Sequence, residues 1–147
     1  MDNQMLQAGI RIINHYNCFA NKARNYGTDV TLYPSEIHLI DAIGLEGNMT
    51  TTRLVSTLGI TKGGVSQTIT KLMTKGLVTK SEGDGINEVY ISLSDKGRTA
   101  YQGHRKLHES LISKMDALTS QMNDETKNAL NEMISAIDEE LNRLENE

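Results

Sequence analysis

Residues Thr61–Gly76 read TKGGVSQTITKLMTKG. Val65, Ile69 and Leu72 fall at i, i+4 and i+7, which predicts a helix with one apolar stripe against a core. Lys62, Gly63, Ser66, Gln67, Thr70 and Lys71 fall on the other side. They are short, polar, and neutral or basic, a set suited to base edges and phosphates; a helix turned only to solvent more often mixes Glu with Lys. Taken alone, an ordinary amphipathic helix with a solvated face also explains the stretch. The flanking segments decide between the two.

Upstream, Thr50 is placed to cap a short helix with Leu54, Val55 and Leu58 buried and Gly59 as a left-handed stop. Thr61 then caps the next helix after a brief turn, and two short helices joined in this way form a helix-turn-helix whose second helix enters the major groove. Beyond Gly76 the period changes to two. Leu77–Ser81 and Glu88–Leu93 read as strands around the turn EGDGIN, a hairpin wing.

Farther out, Met5, Gly9, Ile12, Tyr16, Phe19, Ala23 and Tyr26 recur at helical steps, predicting a first helix over about Gln4–Tyr26. Leu6, Ile10 and Ile13 widen its apolar face, so it should touch two surfaces. Pro34, Ser35 and Glu36 open another helix that ends near Gly44 or Gly47. After the wing, Ser94 caps a long helix with Tyr101, His104, His108, Leu111, Met115 and Leu118 in line. Asn123 starts a last one carrying Leu130, Met133, Ile137, Leu141 and Leu144. The terminal helices hold more apolar surface than one winged module can cover, which predicts pairing with a second copy.

The whole-chain figures agree. With 147 residues there is room for one domain with a proper core, and 4% aromatics without Trp argue for a helical body. One cysteine excludes an internal disulfide, and no apolar run has membrane length. A soluble, unexported protein of the cytoplasm is expected. The net charge of −4 is unevenly placed. Thr50–Ala100 carries seven cations against four anions, a balance of +3, whereas Glu109–Glu147 carries three cations against ten acids, a balance of −7. A basic centre and an acidic end suggest separate tasks.

The order of elements, with LGITKGGVSQTITKLMTKGLV from Leu58 to Val78 and ISLSDKGRTAY from Ile91 to Tyr101, resembles the MarR family of winged-helix regulators over nearly the whole chain. The resemblance implies a mainly α fold with a small β-hairpin wing, a winged helix-turn-helix inside a helical dimerisation scaffold. It implies a homodimer with interlocked terminal helices, recognition helices in successive major grooves of a pseudo-palindromic operator, and repression relieved by an effector. Residues 34–98 would be the DNA-binding core, and 1–30 and 99–147 the dimerisation helices. DNA contacts are expected from Arg53, Thr61, Lys62, Gly63, Ser66, Gln67, Thr70 and Lys71. The family's wing commonly carries a cation for the minor groove, but Ile86 and Asn87 stand there beside Glu82, Asp84 and Glu88. Lys80 and Asn87 are its remaining candidates, and the acidic wing should meet phosphates poorly.

His104 and His108 are one helical turn apart, and His38 lies on the helix after Pro34. In the zinc-uptake branch of the family the three matching positions are metal ligands. SEIHLIDAIG (Ser35–Gly44) and HRKLHESL (His104–Leu111) resemble the fatty-acid-synthesis repressors more closely. Asn17, Ala20 and Asn21 stand where the zinc branch supplies a carboxylate, so the fourth ligand is missing unless His15, Glu36 or water supplies it. No cofactor is therefore expected, zinc on His38, His104 and His108 being the alternative to a small-molecule or lipid-related effector near Tyr16, His38 and His104. Cys18 reads as an inert buried thiol rather than a redox sensor. There is no GxSxG, P-loop, HExxH or dinucleotide fingerprint, so an enzyme is not expected. A helical dimer that has lost DNA binding is the other competing reading.

Overall fold

The computed structural model of the chain describes residues 3–83, 85 and 88–146, with Asn3 and Met5 as backbone only. It forms two compact units, Met1–Leu107 and His108–Glu147.

The first unit contains α1 (Asn3–Ala20), α2 (Pro34–Glu46), β1 (Asn48–Thr50), α3 (Thr51–Leu58), α4 (Lys62–Thr74), β2 (Val78–Glu82), β3 (Val89–Leu93) and the first half of α5 (Asp95–Thr119). The three strands pair antiparallel in the order β1-β3-β2. The hairpin β2–β3 is the wing expected from the change of period. The sequence reading had no third strand. β1 is too short to display alternation, yet its Met49 is buried opposite Ile91 and its last residue, Thr50, is also the α3 cap.

The core gathers one stripe from each element: Leu32, Ile37, Ile40 and Ile43 around α2, Leu54 of α3, Val65, Ile69 and Leu72 of α4, and Leu77 and Ile91 of the wing base. Each such side chain contributes roughly 1.5–3 kcal/mol relative to exposure. The stripe predicted for α4 is thus its buried face. Thr68 lies beside it, its hydroxyl donating to Gly64 O at 2.9 Å. Helix α5 comes very close to the module at two glycines. A Cβ on Gly97 would fall on Leu77 O, and one on Gly103 on Tyr26 O.

The first helix is shorter than its periodicity suggests, ending at Ala20 instead of Tyr26. Arg24 pairs with Leu32 through two backbone hydrogen bonds, and its guanidinium donates to Phe19 O at 2.8 Å and Lys22 O at 3.0 Å. These interactions satisfy the carbonyls that a continuing helix would have used. Tyr26 and Gly27 follow with φ of 48° and 83°, a reversal incompatible with helix.

The described side chains of α1 from Ile10 to Cys18 are all exposed, among them Ile12, Ile13 and Tyr16. Cys18 is exposed as well, contrary to the buried thiol expected, because this face of α1 is uncovered. The second unit holds the rest of α5 and α6 (Asp124–Glu145), capped by Asn123, whose Oδ1 accepts from Thr126 N at 2.8 Å. No residue of α6 is buried; Met133, Ile134, Ile137, Leu141 and Leu144 are exposed.

Candidate nucleic-acid interface

Thr61 begins the presented surface. Its hydroxyl accepts from Gly64 N at 3.1 Å, fixing the first turn of α4 and leaving the N–H groups of Lys62 and Gly63 directed outward. With Val65, Ile69 and Leu72 buried, helical geometry turns Lys62, Gly63, Ser66, Gln67, Thr70 and Lys71 to the outside, and all six are exposed. The side chains of Lys62, Ser66, Gln67 and Lys71 have no hydrogen-bond or ion-pair partner among the described residues. Thr70 differs: its hydroxyl donates to Ser66 O at 3.0 Å, so toward a ligand it acts as an acceptor. Ser66, Gln67, Thr70 and Lys71 line a shallow depression of about 380 Å³. From Gly47 to Ser81 the chain has no Asp or Glu, so the face is basic without internal compensation.

A cleft of about 680 Å³ opens beside it, lined by Thr50–Thr52 at the start of α3, Lys62 and Ser66 of α4, and Gly85, Glu88 and Val89 of the wing. Its one described acid is folded back on the hairpin. Tyr90 donates its hydroxyl to Glu88 Oε1 at 2.9 Å, and Gly83 N donates to Glu88 O at 2.7 Å. Gly83 and Gly85 make the room: a Cβ on either would come within 3.0 Å of Glu88 Oε2. Lys80 is exposed on β2, opposite Ile91. Asn87, with Asp84 and Ile86, lies outside the described residues.

Arg53 is less available than its sequence position suggests. Its Nε and one terminal nitrogen donate to the two carboxylate oxygens of Glu46, each at 3.3 Å. Glu46 ends α2, seven residues earlier, and nothing in local periodicity links the two.

The histidine region lies elsewhere in the first unit. His104 Nδ1 is 3.2 Å from Asp41 Oδ1, the Tyr26 ring meets His104 edge-on at 5.5 Å, and the His38 ring centroid is 6.4 Å away. Asp41 and Tyr26 are the partners that sequence reasoning missed. Asp41 sits one turn after His38 on α2, a spacing that could have flagged it. Tyr16 has its ring 6.5 Å from that of Phe19 on exposed α1. A cavity of about 570 Å³ lies nearby, between the loop Arg24–Gly27 and Thr99, Gln102, Gly103, Lys106 and Leu107 of α5. His108 belongs to the second unit and is half-buried. Among the described residues no three of His, Cys, Asp and Glu converge on a point that could hold a metal ion. Zinc would need its donors within about 2.0–2.3 Å of one point.

Residues 31–85 match the model of the MarR family. The matched stretch takes in α2, α3, α4 and the first strand of the wing. The HTH-type transcriptional regulator PchR of Bacillus subtilis is 30% identical over 76 residues, 51% of this chain and 45% of that protein. The match therefore spans about half the length of the curated relative. Among solved structures, the zinc-responsive MarR family member ZitR of Lactococcus lactis superposes with a TM-score of 0.73 at 22% identity, covering 95% of this chain and 97% of that one. FabT of Streptococcus pneumoniae in complex with DNA gives 0.71 at 20% identity, covering 96% and 97%. At these identities the two structures establish the fold over nearly the whole chain. Among the described residues no helix is long and apolar enough to cross a membrane.

Proposed function

We propose that the chain is a cytoplasmic, homodimeric transcription regulator that binds double-stranded DNA at a pseudo-palindromic operator and acts as an effector-responsive repressor. The observation that carries this reading is the outward face of α4, where Lys62, Ser66, Gln67 and Lys71 are exposed and have no partner among the described residues, on a stretch free of carboxylates. Folding requires none of these identities; reading a duplex uses all of them. Thr61, Lys62 and the open N–H groups meet phosphate, Gly63 permits close backbone approach, Ser66, Gln67 and Thr70 read base edges, and Lys71 takes a phosphate. PchR, a transcriptional regulator by name, and FabT, solved with DNA, support the class.

Residues 34–98 form the DNA-binding part in this reading, and residues 1–30 and 99–147 pair two copies through the exposed apolar rows of α1 and α6. The effector is a small or lipid-related molecule near Tyr16, His38 and His104, and it acts by changing the spacing of the two recognition helices. A zinc response through His38, His104 and His108 draws support from the description of ZitR as zinc-responsive, but the described residues present no fitting donor set. Zinc stoichiometry of the purified protein separates the two: tight uptake lost in His104→Ala would displace the small-molecule reading.

A mobility-shift assay on the protein's own promoter region tests the main proposal. Wild type should bind, and Gln67→Ala with Lys71→Ala should not. A wild type that fails to bind at low salt would leave a helical dimer without DNA-binding activity.

A further inference from the structure

Lys75 and Glu36 lie 39 residues apart in sequence, yet Lys75 Nζ is 2.7 Å from both oxygens of the Glu36 carboxylate. The same ammonium donates to Thr31 O at 2.8 Å, so its three N–H donors have three acceptors. The Glu36 carboxylate also accepts Tyr33 N at 2.9 Å, closing the first turn of α2. Glu36 is 2% exposed and the Lys75 side chain about a quarter exposed, so the pair is largely desolvated.

Neither partner has freedom to relocate. Lys75 is the C-cap of α4, its N–H bonded to Lys71 O and Met73 O. Gly76 follows at φ 72°, and Leu77 N closes the helix on Leu72 O at 2.9 Å. The ammonium therefore joins the C-terminal end of the recognition helix to the N-terminal end of α2. The apolar stripe of Val65, Ile69 and Leu72 fixes the rotation of α4 about its axis, but shape packing along one line resists tilt only weakly. A tie at one end of a helix whose other end reads the ligand supplies that resistance.

A buried ion pair is weak evidence for stability, because desolvation offsets much of its attraction; its better-attested use is conformational specificity. We propose that Glu36–Lys75 is a positioning device for the recognition helix. It sets the tilt of α4 and so the discrimination between DNA sequences, while adding little to stability or to phosphate affinity. The inference rests on the DNA-binding reading above. Recognition geometry has to be held within about 0.5 Å and 10–20°, and Ser66 and Gln67 lie two to three turns from this tie.

The test uses the full chain and Glu36→Gln/Lys75→Met. The Gln keeps an acceptor for Tyr33 N–H, the Met keeps the Lys75 stem, and no unpaired charge remains buried. Affinities are measured for a duplex of about 30 base pairs, room for two half-sites, selected from a random library by wild type, and for poly(dI-dC). Expected is a loss on the order of tenfold on the selected duplex, the size of one lost base contact, with poly(dI-dC) binding and Tm nearly unchanged. An unchanged ratio of the two affinities overturns the proposal. Parallel loss of both with a falling Tm also overturns it, leaving a structural role only. If wild type selects no duplex, the DNA reading fails by itself. The positioning role is then decided by hydrogen exchange at residues 62–74, which should quicken in the double variant; unchanged exchange would refute it.

Discussion

Arg53 and Glu46 meet through two parallel hydrogen bonds of 3.3 Å across the step from α2 to α3. The guanidinium stands at the edge of the surface we assign to DNA, and the carboxylate competes with any phosphate for it. Exposed pairs of this kind are worth about 0–1 kcal/mol. Glu46→Gln should therefore strengthen DNA binding up to about fivefold at low salt, and the salt dependence should steepen by about one phosphate contact. Titration at several salt concentrations checks both; weaker binding would show that Glu46 orients Arg53 instead of withholding it.

Gln67 and Lys71 are neighbours on α4 but should fail differently. Gln67→Ala should cost roughly 1–3 kcal/mol on the preferred sequence and relax selectivity at one position. Lys71→Ala should weaken binding to all sequences alike and lower the salt slope by about one. Competition between matched and scrambled duplexes distinguishes the two patterns.

Gly97 permits α5 to lie against the wing base, where a Cβ would fall on Leu77 O. Ala has the higher intrinsic helix propensity, by about 1 kcal/mol, yet overpacking of this sort costs about 1–3 kcal/mol or more. Gly97→Ala should thus lower Tm. The same change at Gly9, which has nothing within 4 Å, should leave it unchanged or raise it.

Asp29 receives a hydrogen bond from Lys96, with Nζ 2.6 Å from Oδ1, tying the loop after α1 to the start of α5. That bond first, then its own backbone N–H and the Lys96 charge, hold the carboxyl below its ordinary pKa. A depressed carboxylate contributes stability above its unfolded pKa and loses it as pH falls through the folded one. The contribution should be intact at neutrality and disappear only below the usual Asp range near 3.9. In Lys96→Met, an NMR titration should find Asp29 shifted back upward.

The local grammar of the chain was largely legible. Thr50, Thr61 and Asn123 cap the helices they were expected to cap, and Gly59 takes the left-handed backbone, φ 64°. Ser94 also accepts Gly97 N at 3.0 Å. The face of α4 followed from its apolar stripe alone, because Val65, Ile69 and Leu72 fix the rotation of the helix. What escaped depends on residues distant in sequence. Periodicity carried α1 past Ala20 to Tyr26, since the pairing of Arg24 with the later Leu32 is not written in it. Glu36 read as a helix-dipole acid and Lys75 as one more cation, and neither spacing nor residue type reveals that they meet. The His104–Asp41 contact, across 63 positions, escaped as well, although Asp41 stands one turn from His38 on α2.

The missing acids of the α3–α4 segment have one more consequence. Gly47–Ser81 also contains no His, Cys or Tyr, so it holds none of the side chains that ordinarily titrate between about pH 4 and 10. Its charge is a constant of the molecule throughout the range in which cells live. Acidity can change how firmly this surface is held, but cannot discharge it.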